Sequence, residues 1–205
     1  LLLAVMLDQK IAFRRFYRAA FFLPSITSMV VVAIVWQWIY NPDYGLLNYF
    51  LSLFGIKGPK WLLDANTSLI SLAIVGIWKR AGYDMIIFLS GLQGISNSYY
   101  EASMLDGANK WQQFRYITLP MLKPTTFFVF VMAVISSFQV FDQVMLMTKG
   151  GPGRSSSVLV HYLYQNAFQY FKLGYACAIA YLLFFIVMGV TVFNMRMEKS
   201  MREIY

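Results

Sequence analysis

Three charged residues lie inside an otherwise apolar stretch of the sequence, between residues 68 and 95. Lys79, Arg80 and Asp84 fall near the middle of that stretch, where a charge is costly to remove from water. Such residues usually face a cavity or a polar partner, so they are candidates for holding a polar solute. Arg80 and Asp84 have the i, i+4 spacing at which a helix pairs opposite charges. A structural ion pair at a contact between subunits would explain the same residues.

A second polar cluster occurs in another apolar stretch. Gln139, Asp142 and Gln143 are spaced so that a continuous helix would carry them on one face. Phe138 and Phe141 accompany them, and polar groups beside aromatic rings suit the hydroxyls and ring faces of sugars. Polar contacts between membrane helices are the alternative explanation. We treat the two clusters together as a candidate solute path.

The sequence offers little for covalent catalysis. It contains one cysteine, Cys177, and one histidine, His161, which are too few for an internal disulfide or a zinc site. Neither a glycine-rich phosphate-binding loop followed by lysine nor a nucleophile elbow occurs in it. We therefore expect no catalytic residue, no metal site and no cofactor bound by this chain.

Composition places these residues in a membrane protein. Of the 205 residues, 59% are hydrophobic and 13% are charged, whereas soluble domains carry about a quarter charged residues. Because a spanning helix needs about 20 mainly apolar residues, we predict an all-α, polytopic transmembrane helical bundle that forms a single domain over residues 1–205. Gly76 and Gly82 suggest a bend or an unwound turn in its second full span. The predicted spans are residues 19–40, 68–95, 125–147 and 173–195, with residues 1–8 as the tail of an earlier span.

Basic residues indicate how the spans are oriented. Membrane proteins concentrate lysine and arginine in cytoplasmic loops. If the spans alternate, ten basic residues fall on one side and five on the other, so the first side is predicted to be cytoplasmic. The basic residues lie at the ends of the predicted spans, so the net charge of +8 indicates contact with a membrane surface, and no nucleic-acid partner is expected. The ten are Lys10, Arg14, Arg15, Arg18, Lys110, Arg115, Lys123, Arg196, Lys199 and Arg202, and the five are Lys57, Lys60, Lys149, Arg154 and Lys172.

The cytoplasmic loop after the second full span is too polar to cross the membrane, yet it carries regular helix signals. Ser98 and Glu101 have the spacing of a capping box, which predicts a helix that begins at Ser98. Gly107 is expected to end that helix, because glycine adopts backbone conformations that a side chain disfavours. Asn109 is expected to cap a second short helix through Tyr116.

The predicted exposed side of this loop combines large apolar residues with charges. Aromatic and methionine anchors inside a charged rim are typical of protein–protein contacts. A loop that packs on its own protein before it re-enters the membrane is the alternative. The residues concerned are Tyr100, Met104, Trp111 and Phe114, with Glu101, Asp106, Lys110 and Arg115.

The same loop resembles a known family signature. The run Glu-Ala-Ser at residues 101–103, then Gly107, then Ile-Thr-Leu-Pro at residues 117–120, is similar to the E-A-A, glycine, I-x-L-P signature of type I permeases of bacterial ABC importers. Gly107 follows Ser103 by four residues and Ile117 follows Gly107 by ten, as in that family. Ser103 stands where alanine is usual, and a proline common shortly before the signature is absent.

Further runs resemble the carbohydrate-importer branch of that family, of the maltose and glycerol-phosphate type. The resemblance extends over most of the chain and implies a sugar as the cargo. An importer of another solute, such as a phosphodiester or a polyamine, stays an alternative, as does a membrane channel or a membrane enzyme. The runs are Asn41 to Asn48, Ile77 to Lys79, Phe88 to Gln93, Asp106 to Ala108, Phe141 to Asp142, Gly150 to Gly153 and Ala167 to Phe171.

The resemblance also implies a mechanism and partners. The loop over residues 96–120, hereafter the coupling loop, is expected to dock on a cytoplasmic ATPase dimer that binds ATP and magnesium. A homologous second permease subunit and an extracytoplasmic solute-binding protein are the other expected partners, in a multi-pass protein of the bacterial inner membrane. Closure of the ATPase dimer would rock the permease between inward-open and outward-open states. The expected ATPase contacts are Tyr100, Glu101, Ala102, Ser103, Met104, Asp106, Gly107, Trp111 and Phe114.

Overall fold

The computed structural model describes residues 1–9 and 12–202, with side chains as far as residue 196. Lys10 lies outside the described residues, and so do the side chains of Lys199 and Arg202. Within the described residues the chain is helical and has no strand, which confirms the all-α prediction. The helices are α1 (Leu2–Asp8), α2 (Arg14–Ile26), α3 (Met29–Ile39), α4 (Leu46–Leu53), α5 (Ser68–Gln93), α6 (Asn97–Leu105), α7 (Lys110–Gln113), α8 (Leu119–Met121), α9 (Lys123–Phe138), α10 (Asp142–Met147), α11 (Leu159–Tyr164) and α12 (Leu173–Arg202). A 3₁₀ turn covers Trp61–Leu63, and π-helical turns cover Phe114–Thr118 and Gln165–Gln169.

The helices form two compact units, each with its own apolar core. One unit includes Arg80–Val134, and its core joins α1, the second part of α5 and α9. The other consists of Ile26–Lys79 and Ile135–Val192. The single transmembrane domain over residues 1–205 stays a prediction. The first core contains Ala4, Leu7, Met85, Phe88, Leu89, Leu92, Ile95, Leu122 and Val129, and the second contains Val32, Ala33, Tyr40, Leu72, Val75, Val144 and Met147.

The predicted span over residues 19–40 is wrong as one continuous helix. The structure has a break after Ile26, and α3 starts at Met29. Ser28 is the N-cap of α3, where its hydroxyl accepts a hydrogen bond from the backbone N–H of Val30 at 3.4 Å. Pro24 lies near the end of α2 and cannot donate a backbone hydrogen bond, which weakens the helix at that point.

The predicted span over residues 125–147 is also interrupted. The first part, α9, ends at Phe138, and α10 begins at Asp142 after Phe141 adopts a non-helical backbone with φ −137° and ψ −57°. Asp142 then stands in the first turn of α10, where the helix dipole favours a carboxylate. Gln139 is therefore not on the same helix as Asp142 and Gln143, and the prediction of one shared face is wrong.

The glycines of α5 serve close packing instead of a helix break. This helix runs from Ser68 to Gln93 without interruption, so the expected unwinding is wrong. A Cβ atom at Gly82 would collide with the backbone of Phe21 in α2. A Cβ atom at Gly76 would lie 3.2 Å from Nε2 of Gln143 in α10. Each glycine thus lets a neighbouring segment approach the backbone of α5.

Length and composition single out α12 as a membrane-crossing helix. In the described residues it is the one helix that satisfies both criteria alone, over Leu173–Arg196. The number rises to three when each of two bent pairs, α2 with α3 and residues 110–121 with α9, is counted as one span. Every stretch of 18 residues in α5 contains all three charges of the first polar cluster, which sets α5 apart from the other long helices.

Candidate coupling loop and solute path

The first helix of the coupling loop, α6, begins earlier than the sequence suggests. Its N-cap is Ser96, whose hydroxyl accepts a hydrogen bond from the backbone N–H of Ser98 at 3.3 Å. Ser98 itself lies in the first turn, with its hydroxyl 2.8 Å from that of Ser96. The predicted cap at Ser98 is therefore wrong, because the serine upstream already has the extended backbone that an N-cap requires.

Gly107 ends α6, as predicted, and does so in a Schellman motif. The backbone N–H of Gly107 donates to the carbonyl of Met104 at 3.1 Å, and that of Ala108 donates to the carbonyl of Ser103 at 2.9 Å. The motif needs a left-handed residue after the last helical turn, and Gly107 has φ +80°. The signature glycine is thus the residue that reverses the chain between α6 and α7.

Asn109 caps the second helix of the loop, which confirms that prediction. Its Oδ1 accepts from the backbone N–H of Gln112 at 2.9 Å, and Oε1 of Gln112 accepts from the backbone N–H of Asn109 at 2.7 Å. This reciprocal pair is a capping box. Beyond Gln113 the helix widens into the π-helical turn Phe114–Thr118, which the sequence did not predict.

Side chains on the inner side of the loop hold α6 against the segment that follows. The hydroxyl of Ser103 donates to the carbonyl of Tyr100 at 2.8 Å, and Nε2 of Gln113 donates to the Ser103 hydroxyl at 3.0 Å. The hydroxyl of Tyr100 lies 2.9 Å from that of buried Thr118 in the π-helical turn. These contacts join the two helices and the π-helical turn into one structure.

The outer side of the loop is a cluster of large apolar residues beside Gly107. Leu105 is 91% exposed, Trp111 70% and Met104 58%. Tyr100 and Phe114 are half-buried, so their predicted place on the exposed side is wrong. Tyr100 points inward because its hydroxyl pairs with Thr118, while the Phe114 ring lies 5.7 Å from that of Trp111. The exposed members of the predicted contact set also include Glu101, Ala102, Asp106 and Gly107.

Leu105 and Tyr116 were missed by the sequence analysis. Both are exposed, and Tyr116 is 74% exposed. The signal was present for Leu105, because a large apolar residue directly before a helix-ending turn has little to pack against. Tyr116 gave no such signal, since its direction depends on the unpredicted π-helical turn.

Lys79 lies beside the break between α2 and α3. Its Nζ donates a hydrogen bond to the carbonyl of Thr27 at 2.6 Å. Thr27 follows the last residue of α2, where helix carbonyls lack partners within the helix and attract a cation. This contact gives Lys79 a structural task whatever its part in a solute path.

Arg80 and Asp84 form the ion pair that their spacing suggests. Nε of Arg80 lies 3.1 Å from Oδ2 of Asp84, and the two side chains are 25% and 22% exposed. Nη2 of Arg80 and Oδ1 of Asp84 are buried and have no hydrogen-bonding partner within the described part of the chain. One donor and one acceptor of the ion pair are thus buried without a partner among the described groups.

The second polar cluster is divided between two elements. Gln143, in α10, packs on Gly76 of α5. Gln139 lies in the break before α10, and both it and Asp142 are exposed. The cluster therefore provides exposed polar side chains at a helix break, where backbone N–H and C=O groups are outside the regular hydrogen-bonding pattern of a helix.

His161 is buried in the segment that follows α10. It is 1% exposed, and its Nδ1 lies 3.0 Å from the hydroxyl of Ser157. Gly150, with φ +82°, lets the backbone lie against the ring, since a Cβ there would be 2.5 Å from Cε1 of His161. Burial lowers the pKa of His161 below its ordinary value. No group of three metal-binding side chains occurs in the described residues.

Comparison with known proteins gives the class to which this fold and loop belong. Residues 1–198 match the family described as binding-protein-dependent transport system inner membrane component, and the chain belongs to that family. It is therefore a permease component of ABC transporters, a transport subunit and not an enzyme.

Individual relatives agree with the family. The chain is 38% identical over 207 residues to the probable ABC transporter permease protein YurN of Bacillus subtilis, covering 99% of this chain and 71% of the relative. It is 32% identical over 205 residues to the arabinooligosaccharides transport system permease protein AraP of the same organism, covering 98% of this chain and 66% of the relative. The chain thus spans about two thirds of the length of these relatives.

A solved structure shares the fold. It is the crystal structure of a bacterial ABC transporter involved in the import of the acidic polysaccharide alginate, with a TM-score of 0.88 and 26% sequence identity. The match covers 97% of this chain and 71% of that chain. The type I permease fold implied by the signature is thereby confirmed.

Proposed function

We propose that this chain is one of two related permease subunits of an ATP-driven sugar importer, and that it crosses the bacterial inner membrane several times. The names of its relatives support a saccharide as cargo: AraP is an arabinooligosaccharide permease, and a 31% identical relative from Thermococcus litoralis is a trehalose/maltose permease. The solved alginate importer was also crystallised with a periplasmic protein that carries an alginate pentasaccharide. A solute-binding protein is therefore a proposed partner.

The observation that carries the proposal is the shape of the coupling loop. A glycine turn at Gly107 presents Met104, Leu105 and Trp111 outward while Ser103 and Tyr100 face inward. This exposed apolar cluster of Met104, Leu105 and Trp111, with charged neighbours, suits a groove on another protein. We infer that this groove belongs to a cytoplasmic ATPase dimer, which supplies ATP and magnesium and whose closure drives rigid-body rocking of the permease.

The solute path is a proposal of its own. Arg80 and Asp84 retain one unpaired donor and one unpaired acceptor among the described groups, which is the pair of functions that a sugar hydroxyl can satisfy. Gln139 and Asp142 add exposed polar groups at a helix break, and the neighbouring Gln143 packs on Gly76 of α5. Lys79 is the member that we assign chiefly to structure, because it binds the carbonyl of Thr27.

Co-purification tests the coupling proposal. The full-length protein should be expressed with its partner permease and the ATPase subunit from the same organism, and the tagged permease then purified in detergent. We expect the ATPase to be retained by the wild type and lost from a Leu105→Asp, Trp111→Asp variant that still reaches the membrane. Retention of the ATPase by that variant would argue that the exposed apolar cluster binds another partner.

Uptake tests the cargo. Proteoliposomes of the whole complex, supplied with the cognate binding protein, should accumulate a labelled oligosaccharide in preference to a glycerol phosphodiester or a polyamine. Asp142→Ala should change the uptake rate or the order of preference while leaving assembly intact. Unchanged uptake kinetics in this variant would show that Asp142 is not part of the solute path. A preference of the wild-type complex for the polyamine would show that the cargo is not a sugar.

A further inference from the structure

The segment between α3 and α5 contains a short helix, α4, whose start is tightly fixed. Oδ1 of Asn41 accepts hydrogen bonds from the backbone N–H groups of Asp43 and Tyr44, at 2.9 and 3.2 Å. The next residue, Gly45, is buried against Asn41 so closely that a Cβ would collide with the Asn41 backbone. The chain therefore turns sharply after α3 and enters α4 at once, close to the end of an apolar helix.

One side of α4 is held by Asn48. Its Nδ2 donates to the carbonyls of Pro42 and Pro59, at 3.0 and 3.3 Å, and its Oδ1 accepts from Nε1 of Trp61 at 2.7 Å. The neighbouring Leu47 packs against the core of the second unit. Because these contacts secure one side of the helix, the direction of the opposite side is settled.

That opposite side is an apolar stripe. Large residues recur at intervals of three and four, the spacing of one helix face. All of them are exposed, with Phe54 at 79% and Leu53 at 62%. Lys57 and Lys60, both exposed, lie in the segment that follows the helix. The members of the stripe are Leu46, Tyr49, Phe50, Leu53 and Phe54.

We propose that α4 lies flat in the bilayer, with this stripe inserted at the boundary between lipid headgroups and acyl chains. Its position between the apolar helices α3 and α5 keeps it at a membrane surface, the place where tyrosine and phenylalanine concentrate. Lys57 and Lys60 complement the charge of lipid phosphates beside the stripe. The occupant of the stripe is therefore phospholipid, and α4 anchors the turn between α3 and α5 at the membrane surface.

Site-directed spin labelling tests this placement without any assay of transport. The full-length protein, carrying Cys177→Ala, should be reconstituted in nanodiscs of phosphatidylcholine and phosphatidylglycerol. Nitroxides are attached at Leu53→Cys in the stripe and at Ser52→Cys, an exposed control on the same turn that points about 100° away. Phe54→Cys repeats the stripe measurement, so a defect in one variant leaves the test intact.

The accessibility of each label to oxygen and to a water-soluble nickel chelate decides the question. We expect the ratio of oxygen to nickel accessibility to be at least about threefold higher at Leu53 and Phe54 than at Ser52, as for a helix with one face in the acyl boundary. Equal, water-like ratios at all three positions would overturn the proposal. Low accessibility to both reagents at Leu53 and Phe54 would overturn it too, because a protein would then cover the stripe.

Discussion

Nε2 of Gln113 donates a hydrogen bond to the hydroxyl of Ser103 at 3.0 Å, across the turn that separates α6 from α7. Ser103 occupies the position at which the family signature usually has alanine. Alanine there could accept no such bond, so in this chain the departure from the signature adds a tie between the two helices of the coupling loop.

A double-mutant cycle should detect this tie. Ser103→Ala and Gln113→Ala should each lower the stability of the loop by about 1 kcal/mol, the usual contribution of one such hydrogen bond. The double variant should lose less than the sum of the two single losses, because both changes remove the contact that Ser103 and Gln113 share. Hydrogen exchange of the backbone amides over residues 97–113 in the purified protein provides the measurement. Additive losses would show that the two side chains act independently.

Substitutions at Gly107 should act through backbone strain. A Cβ there meets no atom within 4 Å, so a collision plays no part. Holding a residue with a side chain at φ +80° costs roughly 1–2 kcal/mol, and less for asparagine. We expect ATPase co-purification to fall in the order glycine, asparagine, alanine, valine at constant permease levels in the membrane. Full ATPase retention by Gly107→Val would contradict the left-handed turn.

Charge reversal separates the structural and solute-binding parts of the Arg80–Asp84 pair. Asp84→Asn leaves the Arg80 charge without its partner at a partly buried site, and should lower stability by up to about 3 kcal/mol. Exchange of the two residues, Arg80→Asp with Asp84→Arg, should recover most of that loss in thermal unfolding.

Uptake by the exchanged variant then reports on the solute. Recovery of stability without recovery of uptake is the result expected if the free donor and acceptor of the pair contact the cargo. Recovery of both would reduce the pair to a structural element.

His161 predicts a pH dependence of stability. Burial lowers its folded-state pKa from 6.5, so below about pH 6.5 the unfolded chain binds more protons than the folded one. The folded state is therefore not destabilised by protonation of His161 above about pH 7.5, and it loses stability as the pH falls through 6.5. Thermal unfolding between about pH 8 and about pH 5 should show this decline, and His161→Gln should flatten it. An unchanged pH profile in that variant would assign the dependence to other groups.

Local turn chemistry was readable from the sequence, whereas helix continuity was not. The roles of Gly107 and Asn109 were predicted correctly because each depends on residues within one turn. The breaks after Ile26 and Phe138 were missed, because hydropathy records how apolar a stretch is and not whether its backbone bonds continue. Pro24, followed by serines and a threonine, was the available signal for the first break.

Tertiary contacts account for the other errors. Gly76 and Gly82 looked like points of flexibility, and their packing partners lie far away in the sequence. The sequence could not decide whether Ser96 or Ser98 caps α6, because serine suits an N-cap at either position. Only the backbone geometry selects Ser96. The contact of Lys79 with Thr27 was likewise hidden from the sequence, because the two residues lie far apart along the chain, and the place of Lys79 in the solute path stays a prediction.

At Gly82 the main chains of α2 and α5 touch with no side chain between them. Their separation there is set by atoms that every amino acid shares, so no substitution elsewhere on either helix can shorten it. A substitution at position 82 can therefore only increase the separation, by an amount set by the group that replaces the Hα atom of the glycine. Position 82 is thus a natural calibration point: a series through alanine, serine and valine would part the two helices in graded increments and measure how much separation a working transporter tolerates.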